Sequence, residues 1–318
     1  MAKMASPMAK EQGPMKKKSN LAIRIWQYRY FYIMFLPVLV ALILFYYLPM
    51  IGVRFSFYKY TPFAPPTFVG WDNFRRLWST PTFWDAFRNT LQISIFKLFL
   101  NMFLSVSIAL LINEIVNLKI KKAVQTIIYL PHFLSWVVVA SIFMIILSPQ
   151  GGFVNQVLLS LGIIKEPIYF LAEEKWWRPV YYFINQWKET GWGTIIYLAT
   201  LTSISPELYE AASIDGAGRW KQTLYITIPS IMDTVIIVLI LNLAKVLNLF
   251  ESVFVLYNPL VYHVSDVLQT YVYRLALNAN APDYGFSTAV GLFKSVVSCI
   301  LVLFSNWASK KVRGRGIL

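Results

Sequence analysis

The sequence predicts an all-α integral membrane protein with six transmembrane helices. Three observations carry that expectation. Of the 318 residues, 57% are hydrophobic and 14% are charged, whereas a soluble domain carries about 25% charged residues. Apolar runs of about 20 residues, the length that crosses a bilayer, recur along the chain. Basic residues collect beside those runs: Met1 to Tyr30 hold seven Lys/Arg, and KKVRGRGIL from Lys310 holds four, as cytoplasmic flanks of spans do.

Residues 1–28 are rich in Met, Lys and Ser without apolar periodicity and read as a disordered basic tail on the cytoplasmic side. The first span covers roughly Phe31 to Val53; its apolar core is too long for a signal peptide and no small-residue cleavage site follows. The others cover roughly Arg88 to Ile115, Val124 to Leu147, Pro179 to Ser203, Ile231 to Leu256 and Phe286 to Ala308. The fourth is the most polar. With the N-terminus inside, sixteen Lys/Arg fall in the inner segments and eight in the longer outer loops, so both termini are expected in the cytoplasm. Nothing divides residues 29–318, which read as one transmembrane domain.

Composition also excludes classes. The formal charge of +14 sits at span ends rather than in a basic fold with interleaved aromatics, so nucleic-acid binding is not expected. The single Cys299 lies in an apolar run, which removes any disulfide framework within the chain. His132 and His263 are isolated from other ligand residues at metal spacing. There is no GxxxxGK[ST] loop for ATP and no GxSxG elbow. No catalytic set stands out.

One compact polar stretch interrupts the apolar pattern: EAASIDGAGRWKQTLYITIP, Glu210 to Pro229. Ser205-Pro206 marks a helix start, a hydroxyl cap before proline at the first helical position. Asp215-Gly216 ends that helix, because glycine takes the left-handed backbone without steric cost. Trp220, Leu224 and Ile228 then share one face of a second short helix that Pro229 is expected to close. Such a pair of helices is either an amphipathic connector or a rigid knob for a groove on a partner.

The spacing of this stretch resembles the EAA loop of ABC-importer permease subunits. That pattern is EAA, three residues, G, nine residues, then I-x-L-P. Here Glu210-Ala211-Ala212 is followed by Gly216 and by Ile226-Thr227-Ile228-Pro229, with Ile228 in place of Leu. FVGWDNFRRLWSTPTFWDAFRNTL, from Phe68, is similar to the entry of carbohydrate-importer cores. YNPLVYHVSDVLQTYVYRLAL, FSTAVGLFKSVVSCILVLFSN and the terminal GIL are similar to the end of the oligosaccharide branch. From about residue 28 onward the chain thus resembles a MalF-type permease subunit of importers for aldouronates, rhamnogalacturonan or alginate fragments.

The resemblance implies a type I importer transmembrane domain in the bacterial cytoplasmic membrane. It implies a second homologous permease, two ATPase subunits at the cytoplasmic face and an extracytoplasmic binding protein. ATP and Mg would be held by the ATPase partners, leaving this chain without cofactor or enzymatic chemistry. Residues 205–229 would be the coupling loop. In it Glu210 makes a charge-assisted contact to the ATPase, Ala211 and Ala212 keep the helix thin, Asp215 caps locally, Gly216 makes the turn and Pro229 ends the loop. Import of another solute class, such as glycerol phosphate or a polyamine, is the alternative; a membrane scaffold that moves nothing is a more distant one.

Polar residues inside spans are costly and mark cavities or bundle interiors. Lys97, Asn101 and Ser105 share one face of the second span. The fourth carries NQWKETGW, with Asn185, Gln186, Trp187, Lys188, Glu189 and Trp192. In the fifth, Asn242, Lys245, Asn248 and Glu251 recur every third residue, drifting about 60° per step. Lys294 lies in the sixth. Amides for hydroxyls and indoles for apolar sugar faces would suit a carbohydrate path, and the lysines would suit carboxylates. Internal pairing, such as Lys188 or Lys245 with a nearby Glu, is the competing use. Ser287, Gly291, Ser295 and Cys299 form a small-residue stripe read as helix packing.

Overall fold

The computed structural model describes residues 25–277 and 282–313. The expected tail therefore lies outside the described residues as far as residue 24. The chain divides into two compact units, one ending at Val53 and one beginning at Arg54. In the first, helix α1 (Arg29–Leu42) runs on through a π-helical turn at Ile43–Tyr47. Pro37 sits inside α1, as membrane helices tolerate.

The second unit opens with a hairpin of β1 (Tyr58–Thr61) and β2 (Ala64–Phe68). Tyr58 pairs with Phe68 and Thr61 with Ala64, across an irregularity between Lys59 and Thr61. Helices α2 (Asp72–Ser79) and α3 (Pro81–Asn113) follow, α3 with proline in its first turn. Next come α4 (Leu118–Tyr129), capped by Asn117, and α5 (Trp136–Ile146), capped by Ser135. A short α6 (Phe153–Ser160) leads to α7 (Glu174–Leu201). The connector holds α8 (Pro206–Ile214) and α9 (Arg219–Gln222). After it come α10 (Ile228–Leu243), α11 (Phe250–Phe254), α12 (Tyr262–Ser265), α13 (Leu268–Leu277) and α14 (Tyr284–Arg313).

Among the described residues, four helices are long and apolar enough to cross a membrane, or five if the bent pair on either side of Leu134 counts as one. Helix α7, at 28 residues, has the length of a span. Its mean hydropathy is lowered by the same polar residues that made the fourth span read as the most polar.

Two expected spans are not continuous helices. The third bends by 99° between Phe133 and Trp136. Pro131 withholds a backbone donor, and the Ser135 side chain accepts from Val138 N to begin a new helix. The fifth ends as a helix at Leu243 and resumes at Phe250. Gln269 Oε1 accepts from Leu249 N and Phe250 N at 2.7 and 2.9 Å, so the restart is capped from α13. A third difference concerns Pro229. It does not close a short helix: a π-helical stretch, Thr223–Thr227, joins α9 to α10, and Pro229 lies in the first turn of α10. The wider π turn accommodates a residue that has no N–H to donate.

The core runs along α3 and α7. Ile93, Tyr181, Ile184 and Trp177 pack with Val139, Ala140 and Phe143 of α5 and with Leu249, Val253 and Leu256. Gly191 lets α7 approach the α4 backbone at Ile128, where a Cβ would collide with the Ile128 carbonyl. At the hairpin end, Arg178 donates to Asn89 Oδ1 at 2.7 Å, Gln92 Oε1 at 2.9 Å and Val264 O at 3.0 Å. Asp266 pairs with Arg274 at 2.6 Å and accepts from Thr270 at 2.7 Å. Burial nonetheless pushes the Asp266 carboxyl up, against the pull of Arg274 and Thr270.

Candidate functional site: a polar cavity and an exposed connector

The connector is built to hold one shape. Helix α8 ends with the paired bonds of a Schellman cap: Ala217 N donates to Ala212 O at 2.8 Å, and Gly216 N donates to Ser213 O at 3.1 Å. Gly216 takes φ +77°, and a Cβ there would meet nothing within 4 Å. Gln222 Nε2 of α9 donates back to Ser213 Oγ and Ala217 O at 2.9 and 3.0 Å. Tyr209 and Thr227 share a hydroxyl bond at 2.9 Å. Glu210, Ala211, Asp215 and Gly216 are exposed and Ala212 is half-buried.

Ile214 and Trp220 are also exposed, at 88% and 89%. The spacing puts Trp220 on one helix face with Leu224 and Ile228. The structure leaves its indole outside, so the connector exposes two carboxylates, two small residues and two large apolar ones. That is the composition of a docking knob rather than of a solvated turn.

A cavity of about 700 Å³ lies among α3, α7 and α10 with the segment after it. Lys97, Asn101 and Ser105 reach it from α3, and Asn185, Glu189 and Trp192 from α7. Asn242, Lys245, Asn248 and Glu251 reach it from α10 and the break beyond. The α7 residues fall four and three apart, on one face of the helix. Trp187 is not on this wall. It lies about 200° around the helix from Asn185 and meets Phe143 edge-on at 5.4 Å. Lys188 is not on it either: it is 4% exposed, and its Nζ donates to His132 O at 2.7 Å and lies 3.6 Å from Glu189 Oε1. Lys294 acts one step back, donating to Asn248 Oδ1 at 2.9 Å.

The polar residues fall into two groups. Some bond to one another: Asn101 donates to Gln186 Oε1 at 3.2 Å, Ser105 to Thr190 O at 3.1 Å, and His132 Nδ1 pairs with Glu189 Oε2 at 2.9 Å. Lys97 and Lys245 do not. Among the described residues, neither ammonium has a hydrogen bond or ion pair, and no bridge joins Lys245 to Glu251. The sequence reading did not find Trp136 or Gln269 on the wall. The bend brings Trp136 there, and the cap on α11 brings Gln269. No three His, Cys, Asp or Glu side chains among the described residues gather as a metal site.

A helical membrane domain with an exposed connector and a polar, amide-lined cavity between its helices has the build of a permease. Residues 101–314 match the model of the binding-protein-dependent transport system inner membrane component family. The chain is 40% identical over 306 residues to the polygalacturonan/rhamnogalacturonan transport system permease protein YteP of Bacillus subtilis, covering 95% of this chain and 94% of that one. It is 40% identical over 293 residues to protein LplB of the same organism, covering 91% of each. Among solved structures it is similar to a chain of a bacterial ABC transporter involved in the import of the acidic polysaccharide alginate. There the TM-score is 0.83 and the identity 39%, over 92% of this chain and 99% of that one. A second such structure, 38% identical with the same TM-score over 93% and 99%, is an alginate transporter in complex with an alginate pentasaccharide-bound periplasmic protein. The chain belongs to the binding-protein-dependent transport system inner membrane component family. It is the membrane permease component of an ABC importer, not its ATPase.

Proposed function

We propose that the chain is half of a translocation path for acidic oligosaccharides, with the lysine-bearing cavity as the place where the sugar passes. One observation carries the acidic reading: Lys97 and Lys245 present unpaired ammonium groups to the same cavity. A lysine within a membrane domain that forms no ion pair is costly to hold, and a uronate carboxylate would offset that cost with a charge-assisted bond. Asn101, Asn185 and Asn242 supply donors and acceptors for hydroxyls. Similarity to permeases named for polygalacturonan, rhamnogalacturonan and alginate transport supports the same substrate class. A polyamine would meet like charge at both lysines, which argues against that alternative.

In this reading the protein is a six-span subunit of the bacterial cytoplasmic membrane with both termini inside. It pairs with a second, homologous permease. Two ATPase subunits, which hold ATP and Mg, clasp the connectors, with Glu210, Ala211 and Ala212 entering the cleft and Asp215 and Gly216 forming its turn. A binding protein delivers sugar from outside. The test is ATP hydrolysis by the complete complex in lipid, with binding protein loaded with oligogalacturonate, oligoalginate or a neutral malto-oligosaccharide. Stimulation by an acidic class and loss of that preference in Lys97→Gln with Lys245→Gln is the expected result. Equal stimulation by the neutral sugar removes the acidic assignment, and absence of any sugar response removes the importer reading for these substrates.

A further inference from the structure

A second groove follows a different face of α3 from the polar cavity. It holds about 520 Å³ and is lined by Phe96, Leu100 and Leu104 of α3 and by Tyr182 and Phe183 of α7. The α3 residues recur every fourth position and so form one stripe. That stripe lies about 100° around the helix from Lys97, Asn101 and Ser105, which reach the cavity. Phe96 and Tyr182 meet across the seam, with ring centroids 4.5 Å apart. Phe96 and Phe183 are 53% and 63% exposed, so the groove is open at the surface of the helices.

One end of this apolar groove is basic. Arg178 lines it there, held by Val264 O, Gln92 Oε1 and Asn89 Oδ1 at 3.0, 2.9 and 2.7 Å. Those bonds use three of the five N–H groups of a guanidinium and leave two. Arg88 lies one helical turn before Gln92 on α3, is exposed, and is near enough to Arg178 to repel its charge. Among the described residues neither arginine has an ion pair. Two like charges held together without a carboxylate favour an anion between them, and guanidinium groups match phosphate oxygens. From Arg88 to Leu104 the helix rises about 24 Å, roughly the depth of one bilayer leaflet with its headgroup layer. An anionic head joined to a long apolar chain has that shape. We propose that the groove between α3 and α7 is a binding site for an anionic phospholipid. One acyl chain lies along Phe96, Leu100 and Leu104, and Arg88 and Arg178 hold the phosphate. Basic pockets between membrane helices recognise anionic headgroups in this way. The site stands apart from the sugar path and does not depend on which solute is moved.

The complete complex in nanodiscs, containing phosphatidylglycerol with a photoreactive diazirine in its acyl chain, tests this. After illumination, adducts are mapped by mass spectrometry of the peptides. They should fall on the segments from Phe96 to Leu104 and from Pro179 to Phe183. Unlabelled phosphatidylglycerol should suppress them at a concentration about tenfold lower than phosphatidylcholine does. Arg88→Gln should remove most of that headgroup preference while leaving the adducts in place. Leu100→Trp, which fills the groove, should deplete the adducts on both segments. Retention of the ATPase subunits shows that each variant is assembled. Equal suppression by the two lipids in the unsubstituted chain overturns the assignment and makes the groove an ordinary lipid-facing seam. Labelling elsewhere on the chain but on neither segment also overturns it, and shows the groove to be covered by another subunit.

Discussion

Gly216→Ala isolates the backbone of the connector from everything around it. A methyl group there meets no atom within 4 Å, so sterics with neighbours contribute nothing. What remains is the φ of +77°. Holding an L-residue with a Cβ in that region costs roughly 1–2 kcal/mol. The paired bonds from Ala217 N and Gly216 N back to α8 exist only with that φ. If the cap opens, α9 loses its angle to α8, because Gln222 can no longer reach both Ser213 Oγ and Ala217 O. A penalty of that size shifts the closed population by a factor of about 5–30. Asn tolerates the left-handed region better than Ala, so Gly216→Asn should cost less. The assay is sugar uptake per ATP hydrolysed in proteoliposomes, with ATPase subunits retained on the purified permease as a second readout. Uptake should fall in the order glycine, asparagine, alanine, with the retained ATPase falling in step. Equal behaviour of the Asn and Ala variants would refute the backbone argument. Wild-type coupling in Gly216→Ala would show that the knob does not need this turn.

Three further perturbations follow from packing and charge. Gly191→Ala forces a Cβ into the Ile128 carbonyl, an overpacking cost of about 1–3 kcal/mol; the apparent melting temperature of the complex should fall, and Gly218→Ala, in open space, serves as the control. Glu189→Leu leaves Lys188 nearly buried with the His132 carbonyl and the Trp136 ring face as its partners. Breaking such a pair costs roughly 3–5 kcal/mol when both ends are buried, and toward the low end here because the Glu189 side chain keeps 29% exposure; adding Lys188→Met should recover much of the loss, and a failure to recover would show that the pair is not coupled. Asp266, raised above its ordinary 3.8 by burial, binds its proton more tightly folded than unfolded. Its contribution to stability is therefore full below 3.8 and is lost as pH rises through its folded value; a thermal-shift series should show that slope, and Asp266→Asn should flatten it.

The apolar runs made the long helices legible because their cause is local: about 20 oily residues need a bilayer or a core. The breaks were not legible, because a bend between two apolar halves leaves hydropathy unchanged. Pro131 hinted at one, but prolines also sit harmlessly at position 37 inside α1 and at 229 in the first turn of α10. What fixes the two breaks is capping, by Ser135 four residues past the proline and by Gln269 twenty residues past Leu249. The second lies too far along the chain for any periodicity to show it. Trp187 shows the opposite failure, while Trp192 lies on the wall as expected. Helix geometry alone separates Trp187 from Asn185 by about 200°, so its absence from the wall was available to the sequence and was masked by the attraction of a Trp beside polar residues.

Lys97 and Lys188 are both lysines within expected spans, and the structure gives them different surroundings. Lys188 is paired with Glu189 on its own helix, and the bend in the third span brings the His132 carbonyl to it as a second acceptor. Lys97 faces the space that the bend helps to open. Backbone polar groups freed by a broken helix have no water in the bilayer core to satisfy them, so breaks survive only where side chains or a cavity receive them. Here one break receives Lys188, and the other leaves Lys245 and Asn248 at the cavity. The features that hydropathy could not see therefore decide which of its visible charges are spent on structure and which remain for a solute.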